Sequence, residues 1–291
     1  MQSASTPAVP LPAPRLMPTF WMDHTADAAI DFYLEAFAEA GIEARSTGRL
    51  TYPDPLPWYR PEFAGATRVA FLDIAGTTIG LINAADENAP GPAMSLMLNF
   101  DPSVIDDAEG SLRRLWARLI DGGQALMDLD AYPWSGLYGW VEDRFGLHFQ
   151  LMLTKPEGDP RPFTLPALTF AGTSLGKARD AVDHYLGAFP DSSLGQRVTD
   201  PERPERVIFS DFRVGQEWIV AMDGMEVNDF TFTAGGSFHI HAPSQAERDY
   251  YLGALSHVPE AEVNGWAIPR VRRRTARIRE ASSAGSKGLD R

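Results

Sequence analysis

Two histidines spaced i and i+2, His239 and His241, carry the sharpest chemistry in this sequence. On a strand that spacing projects both imidazoles from one face. Neutral rings placed so could hold a zinc, nickel or iron ion with a third donor from elsewhere, or could move a proton near neutral pH. The alternative is a pair of polar wall residues lining a pocket, or a solvated sheet face. Ser237 shares their face by the same alternation, whereas the mirrored Met97 and Asn99 of the first half cannot do this chemistry. A second pair, His148 and Gln150, could hydrogen-bond a polar group of a ligand, its rival being a structural pair satisfied by backbone or water. Phe20 and Met22 offer apolar walls, and Trp58 with Tyr59, in the proline-rich insert Tyr52 to Pro61, reads as a lid over a cleft or as a plain packed loop. His24, His184 and His257 fall near helix ends or surfaces and are read as uninvolved.

Much other chemistry is excluded by absence. With no cysteine among 291 residues, disulfide frameworks, thiol nucleophiles, thiolate zinc sites and iron–sulfur clusters drop out together. No G-x-G-x-x-G, P-loop, H-E-x-x-H or G-x-S-x-G occurs, so nucleotide, phosphoryl and serine-hydrolase readings have no local support. A formal charge of -13 repels phosphate backbones and anionic lipid heads, which makes nucleic acid and membrane poor partners and leaves a small neutral or cationic molecule. No apolar run is long enough to span a bilayer, and the lack of cysteine suits a reducing cytoplasm, so a cytoplasmic location is expected.

The elements that must position these residues repeat. Ala29 to Phe37 is answered by Ala181 to Phe189, with Ile30, Tyr33, Leu34 and Phe37 matched by Val182, Tyr185, Leu186 and Phe189. That spacing predicts one buried face of an amphipathic helix in each half. Ahead of each helix a proline opens a short apolar run, Pro18 to Met22 and Pro166 to Phe170, as at the start of a strand. Behind each come two β-rich runs hinged on glycine, Arg68–Ile74 and Thr77–Ala84 around Gly76, then Arg206–Arg213 and Gln216–Met222 around Gly215. Further runs, Met94–Phe100 and Ser237–Ala242, lead into second helices. One carries Leu112, Leu115, Trp116 and Leu119 and stops at Gly122-Gly123; the other opens with the capping box Ser244-Gln245-Ala246-Glu247. Gly136–Val141 and Gly146–Leu153 complete the first half.

The length predicts two domains, and the composition shifts place their bounds. Residues 1–15 form a disordered, proline-bearing leader without the marks of a secretory signal, 16–154 a first module, 155–163 a stiff linker, and 164–269 a second module whose last strand is degenerate. Residues 270–291 form a basic tail with eight basic and two acidic side chains, read either as cover for an exposed sheet edge or as a solvated end.

A tandem of β-α-β-β-β units resembles the vicinal oxygen chelate superfamily, which includes glyoxalase I, extradiol dioxygenases and bleomycin-resistance proteins. The stronger likeness is to its demethylubiquinone-methyltransferase-like branch. It rests on Pro18-Thr19-Phe20-Trp21 leading into Ala28 to Tyr33, on Gly139-Trp140-Val141-Glu142-Asp143-Arg144-Phe145-Gly146-Leu147-His148-Phe149-Gln150, and on Ser237 to His241 with the helix behind it. The resemblance implies an α+β fold with two curled, mainly antiparallel sheets backed by helices, each half forming its own sheet. Metal-using members take His and Glu ligands from facing strands. At the corresponding positions this chain offers Pro18, Ser95 and Gln150, none a strong ligand, so no tightly bound metal or other cofactor is expected, and a divalent ion enters only through His239 and His241. The branch name points to methyl transfer, yet no glycine-rich motif follows a strand. The preferred reading is a module that binds a small organic molecule in a sheet-lined cleft. The alternatives are a lyase-, isomerase- or dioxygenase-type enzyme using His239 and His241, and a pseudo-dimeric scaffold; a homodimer is compatible with each.

Overall fold

The computed structural model describes residues 16–54, 63–84, 89–155 and 160–255, with the backbone of 262–263 and 266–267. Trp58 and Tyr59, the leader, part of the linker and the basic tail lie outside the described residues.

One unit is built three times over. The first comprises β1 (Leu16–Asp23), α1 (Ala26–Glu39), β2 (Ala44–Thr51), β3 (Thr67–Ile74) and β4 (Thr77–Ala84). The second runs β5 (Met94–Phe100), α2 (Ala108–Ile120), β6 (Gln124–Tyr132), β7 (Ser135–Glu142) and β8 (His148–Leu153). The third runs β9 (Thr164–Phe170), α3 (Ala178–Ala188), β10 (Ser192–Thr199), β11 (Val207–Val214) and β12 (Glu217–Asp223). In each, the first strand pairs in parallel with the last, and the remaining pairs are antiparallel. A fourth unit opens with β13 (Gly236–Ile240) and α4 (Gln245–Leu255), followed by the two-residue strands β14 (Glu262–Val263) and β15 (Trp266–Ala267).

The sheets cross the halves of the chain. One has the order β13-β1-β4-β3-β2 and the other β10-β11-β12-β9-β5-β8-β7-β6. The expectation that each half forms its own sheet is therefore corrected: β5 pairs antiparallel with β9 and β1 with β13. The physical reason is edge satisfaction. The first strand of each unit would otherwise present a row of unpaired N–H and C=O groups, and another unit's first strand covers it.

The matched helices behave as their stripes predict. Tyr33 and Phe37 of α1, and Val182 and Tyr185 of α3, are buried, as is Phe189 at the end of α3. Neither helix is capped by its own preceding side chain. Instead, Asn83 at the end of β4 accepts from the Ala26 N–H (2.9 Å) and Asp223 at the end of β12 from the Ala178 N–H (3.2 Å). Each also ties the far strand, Asn83 donating to the Thr67 carbonyl and Asp223 accepting from the Val207 N–H, both at 2.8 Å. The expected capping box forms at α4, where the Glu247 N–H donates to Ser244 Oγ (3.2 Å) and the Ser244 N–H to Glu247 (3.3 Å). Helices and sheets share one extended core, and Met97, Leu165, Ala167 and Val220 form a small second cluster apart from it.

Candidate functional site

That second cluster lies on the helix-free face of the eight-stranded sheet. Gly139 of β7 shows which side the helices occupy, because a Cβ there would meet the Trp116 ring of α2 at 2.5 Å. Alternation then turns Tyr138 and Trp140 away from α2. Register extends the face: Trp140 pairs with Gln150, Glu142 with His148, Tyr138 with Met152, Met97 with Gln150 and Leu165, and Ser95 with Ala167. Thr169 and Met222 continue it on β9 and β12. On this face, the segment joining β12 to β13 brings Phe230 into edge-to-face contact with Trp140, with ring centroids 5.8 Å apart.

Three of these side chains form a hydrogen-bonded relay. The Tyr138 hydroxyl donates to Gln150 Oε1 (2.8 Å), and Gln150 Nε2 donates to Ser95 Oγ (2.9 Å). All three are buried, and burial pushes the Tyr138 hydroxyl well above the ordinary phenol range, so it stays a donor. Around the relay, four buried polar atoms have no partner among the described residues: His148 Nδ1, Trp140 Nε1, Asn99 Oδ1 and Thr169 Oγ1. His148 is 3% exposed. Its burial lowers the imidazole pKa to about 4 against the opposing pull of Glu142, so the ring is neutral near pH 7 and can donate or accept through Nδ1. Glu142 itself accepts from Gln124 Nε2 at 2.6 Å. The face thus combines apolar side chains with a few unsatisfied donors and acceptors, the usual make-up of a small-molecule site.

A divalent metal does not fit the residues at the centre of this face. Met97, Leu165, Ala167 and Val220 carry no hard donor, both ends of the Gln150 amide are engaged, and a cation would need several oxygen or nitrogen ligands there. Among the described residues no three His, Asp or Glu side chains come together as a ligand group.

The structure divides the expected site residues between two surfaces. His148 and Gln150 share the face just described. Ser237 and His239 share the helix-free face of the five-stranded sheet, paired with Thr19 and Met17 of β1, and Ser237 Oγ lies 3.5 Å from the Thr19 carbonyl. His241 lies just past the end of β13 and is exposed. Phe20 and Met22 do not wall the cleft with Ser237 and His239. They point to the opposite side of β1, fully buried in the core shared with α1, because residues 20 and 22 alternate with Thr19 and Trp21. Trp140, Tyr138, Asn99 and Thr169 were not singled out as site residues from sequence. Trp140 and Tyr138 were findable, since they precede His148 across a tight turn and hairpin register places them on its face.

The sequence profile described as 3-demethylubiquinone-9 3-methyltransferase matches residues 14–152 and again 164–270. No curated protein matches the chain significantly. Among solved structures, the PhnB protein from Bacillus cereus is 23% identical, covering 47% of this chain and 98% of its own, with a TM-score of 0.39. Glyoxalase I from Zea mays is 14% identical over 82% of this chain and 78% of its own, with a TM-score of 0.53, a likeness of fold. Among the described residues no helix is long and apolar enough to cross a membrane. Matched in both halves by one profile, and built from the repeated β-α-β-β-β unit, the chain belongs to the 3-demethylubiquinone-9 3-methyltransferase family, a family of the vicinal oxygen chelate type.

Proposed function

We propose that this protein binds a small organic molecule on the helix-free face of its eight-stranded sheet, without a tightly bound metal. The observation that carries the reading is the set of unpartnered buried atoms on that one face: His148 Nδ1, Trp140 Nε1, Asn99 Oδ1 and Thr169 Oγ1. A buried polar group left without a hydrogen bond costs about 1 to 3 kcal/mol. Four on one surface, beside Met97, Met152, Val220 and Met222, fit a ligand that supplies the missing partners while covering the thioethers. The Tyr138–Gln150–Ser95 relay then serves as a rigid floor. Among the described residues, no group of three His, Asp or Glu side chains supports a metal-dependent reaction at this face.

Titration of 15N-labelled protein with a library of small fragments tests the proposal. Binders should move the Trp140 indole N–H resonance, assigned by its loss in Trp140→Phe. Fragments that shift only residues of the five-stranded sheet, or a library without a single binder, would refute it.

A further inference from the structure

One end of the same face closes in aromatic rings and carboxylates. At the β6–β7 hairpin, Tyr132 and Trp134 stack with centroids 5.1 Å apart, and Tyr138 meets both edge-on at 5.6 and 5.7 Å. Trp134 remains 51% exposed. Asp130 pairs directly with Tyr138 across the two strands, so it shares the ligand face. The Tyr132 hydroxyl donates to the Asp128 carbonyl at 3.0 Å. Desolvation, and then the charges of Asp128 and Asp130, hold that hydroxyl above its usual pKa. Among the described residues neither carboxylate has a basic partner within salt-bridge distance.

The row continues inward from Asp130 and Tyr138 through Met152 to Asn99. Asn99 is only 9% exposed; its Nδ2 donates to the Pro162 carbonyl (3.0 Å), while its Oδ1 has no donor among the described residues. The polar groups facing a ligand along this row are therefore a bare carbonyl oxygen, ring faces and two carboxylates. An anion would be repelled there, and a neutral apolar body would forgo the attraction of the carboxylates and ring faces and leave Asn99 Oδ1 without a donor. A cation at the hairpin end suits both the ring faces and the carboxylates, because each attracts positive charge, while Asn99 Oδ1, three strands inward, suits a donor on the body of the ligand.

We propose that the ligand of this face is an organic cation, an ammonium-type group on an apolar body. Its charge lies against Trp134, Tyr132, Asp128 and Asp130, and its body lies along Met152 toward Met97. This rests on the reading of the face as the ligand site and adds the chemical class. The net charge of -13 acts in the same direction by drawing cations toward the surface.

Three probes with one phenyl body separate the outcomes: 2-phenylethylammonium, 2-phenylethanol and 3-phenylpropanoate, followed by calorimetry and by the Trp140 indole resonance. The ammonium should bind about ten times more tightly than the alcohol at low salt, lose that advantage as salt rises, and exceed the carboxylate further. The Asp128→Asn/Asp130→Asn double variant and Trp134→Ala should each weaken the ammonium by about fivefold more than they weaken the alcohol. All of these positions are on the hairpin surface, so an unchanged melting temperature verifies folding. Equal binding of the three probes at Trp140, or an ammonium advantage that survives both variants, overturns the cation assignment while leaving the ligand face in place. Failure of all three to perturb Trp140 overturns both.

Discussion

The hydroxyl of Tyr33 in α1 donates to the carboxylate of Asp143, 110 residues away in the β7–β8 turn, at 2.5 Å. The same carboxylate accepts the N–H groups of Phe145 (2.9 Å) and Leu147 (3.0 Å), and Phe145 packs edge-on against Phe32 and Tyr33. Gly146 supplies the positive φ of 79° that the turn needs. The Asp143-Arg144-Phe145-Gly146-Leu147 run is thus an architectural pin joining the helix of one sheet to a turn of the other. Tyr33→Phe should destabilise the protein by about 1.5 to 3 kcal/mol, the range for hydrogen bonds to charged groups. Chemical denaturation checks this, and a loss below about 0.5 kcal/mol would show that the pin is energetically idle.

Acid should act on two buried groups in opposite senses. Burial raises the Asp143 carboxyl to about 6 and lowers His148 to about 4. Between about pH 4 and 6.5 the unfolded chain binds the proton that folded His148 refuses, so this group's contribution falls as pH drops. Over about pH 6 to 4 folded Asp143 binds a proton that the unfolded chain does not, so its contribution rises as pH drops. The two offset each other. His148→Gln should therefore gain on wild type by roughly 2 to 3 kcal/mol between about pH 6.5 and 4, read from denaturation curves at stepped pH. A constant difference between the two proteins across that window would contradict the assignment.

The buried aromatic stripe makes a stability prediction in each half. Phe37 and Phe189 are both fully buried, so Phe37→Ala or Phe189→Ala should cost about 3 to 5 kcal/mol. Since both side chains sit in one continuous core, a single unfolding transition should shift in either variant. Two separated transitions, only one of them shifted, would show that the halves unfold independently.

The paired helix anchors differ in chemistry. Asn83 both donates and accepts, whereas Asp223 only accepts. Asn83→Asp should lose the bond to the Thr67 carbonyl and place a carboxylate against it. Asp223→Asn can turn a donor toward the Val207 N–H and lose that bond. Each exchange should cost about 1 to 3 kcal/mol, measured by thermal melting. Neutral exchange at both sites would mean that the helix termini are held by packing alone.

The sequence made the core visible and concealed the sheet edges. Ile30, Tyr33 and Phe37 repeat at helical spacing, and Met94 to Phe100 is a continuous apolar run, so their burial could be read directly. β2, β6 and β10 had no such signal. They are the outer strands, largely exposed on both faces, and Arg45-Ser46-Thr47-Gly48-Arg49 or Ser193-Leu194-Gly195-Gln196-Arg197 shows no apolar alternation. Which first strands pair was equally hidden, because β1, β5, β9 and β13 are all short apolar runs that any partner would suit. That ambiguity split the expected site. Ser237 and His239 face one sheet and His148 and Gln150 the other, and no local spacing separates those cases.

The resemblance seen in the sequence implies that Gln150 corresponds to a carboxylate ligand of metal-using members of the superfamily, which makes Gln150→Glu a direct test of the metal-free reading. The substitution restores the charge but not the remaining donors. Its neighbours on the face are Met97, Trp140 and Ser95, and Leu165, Ala167 and Val220 fill the centre. A lone buried carboxylate without a cation raises its own pKa. Once protonated it reproduces the Gln150 pattern, accepting from Tyr138 and donating to Ser95. The variant should therefore be less stable than wild type by about 1 to 3 kcal/mol near neutral pH and recover as the solution is acidified, while elemental analysis of protein purified without chelator finds no stoichiometric divalent metal. A stoichiometric metal in Gln150→Glu, with stability that rises on adding the ion, would show that this face retains a complete ligand set and would overturn the binding reading in favour of a metal-dependent one.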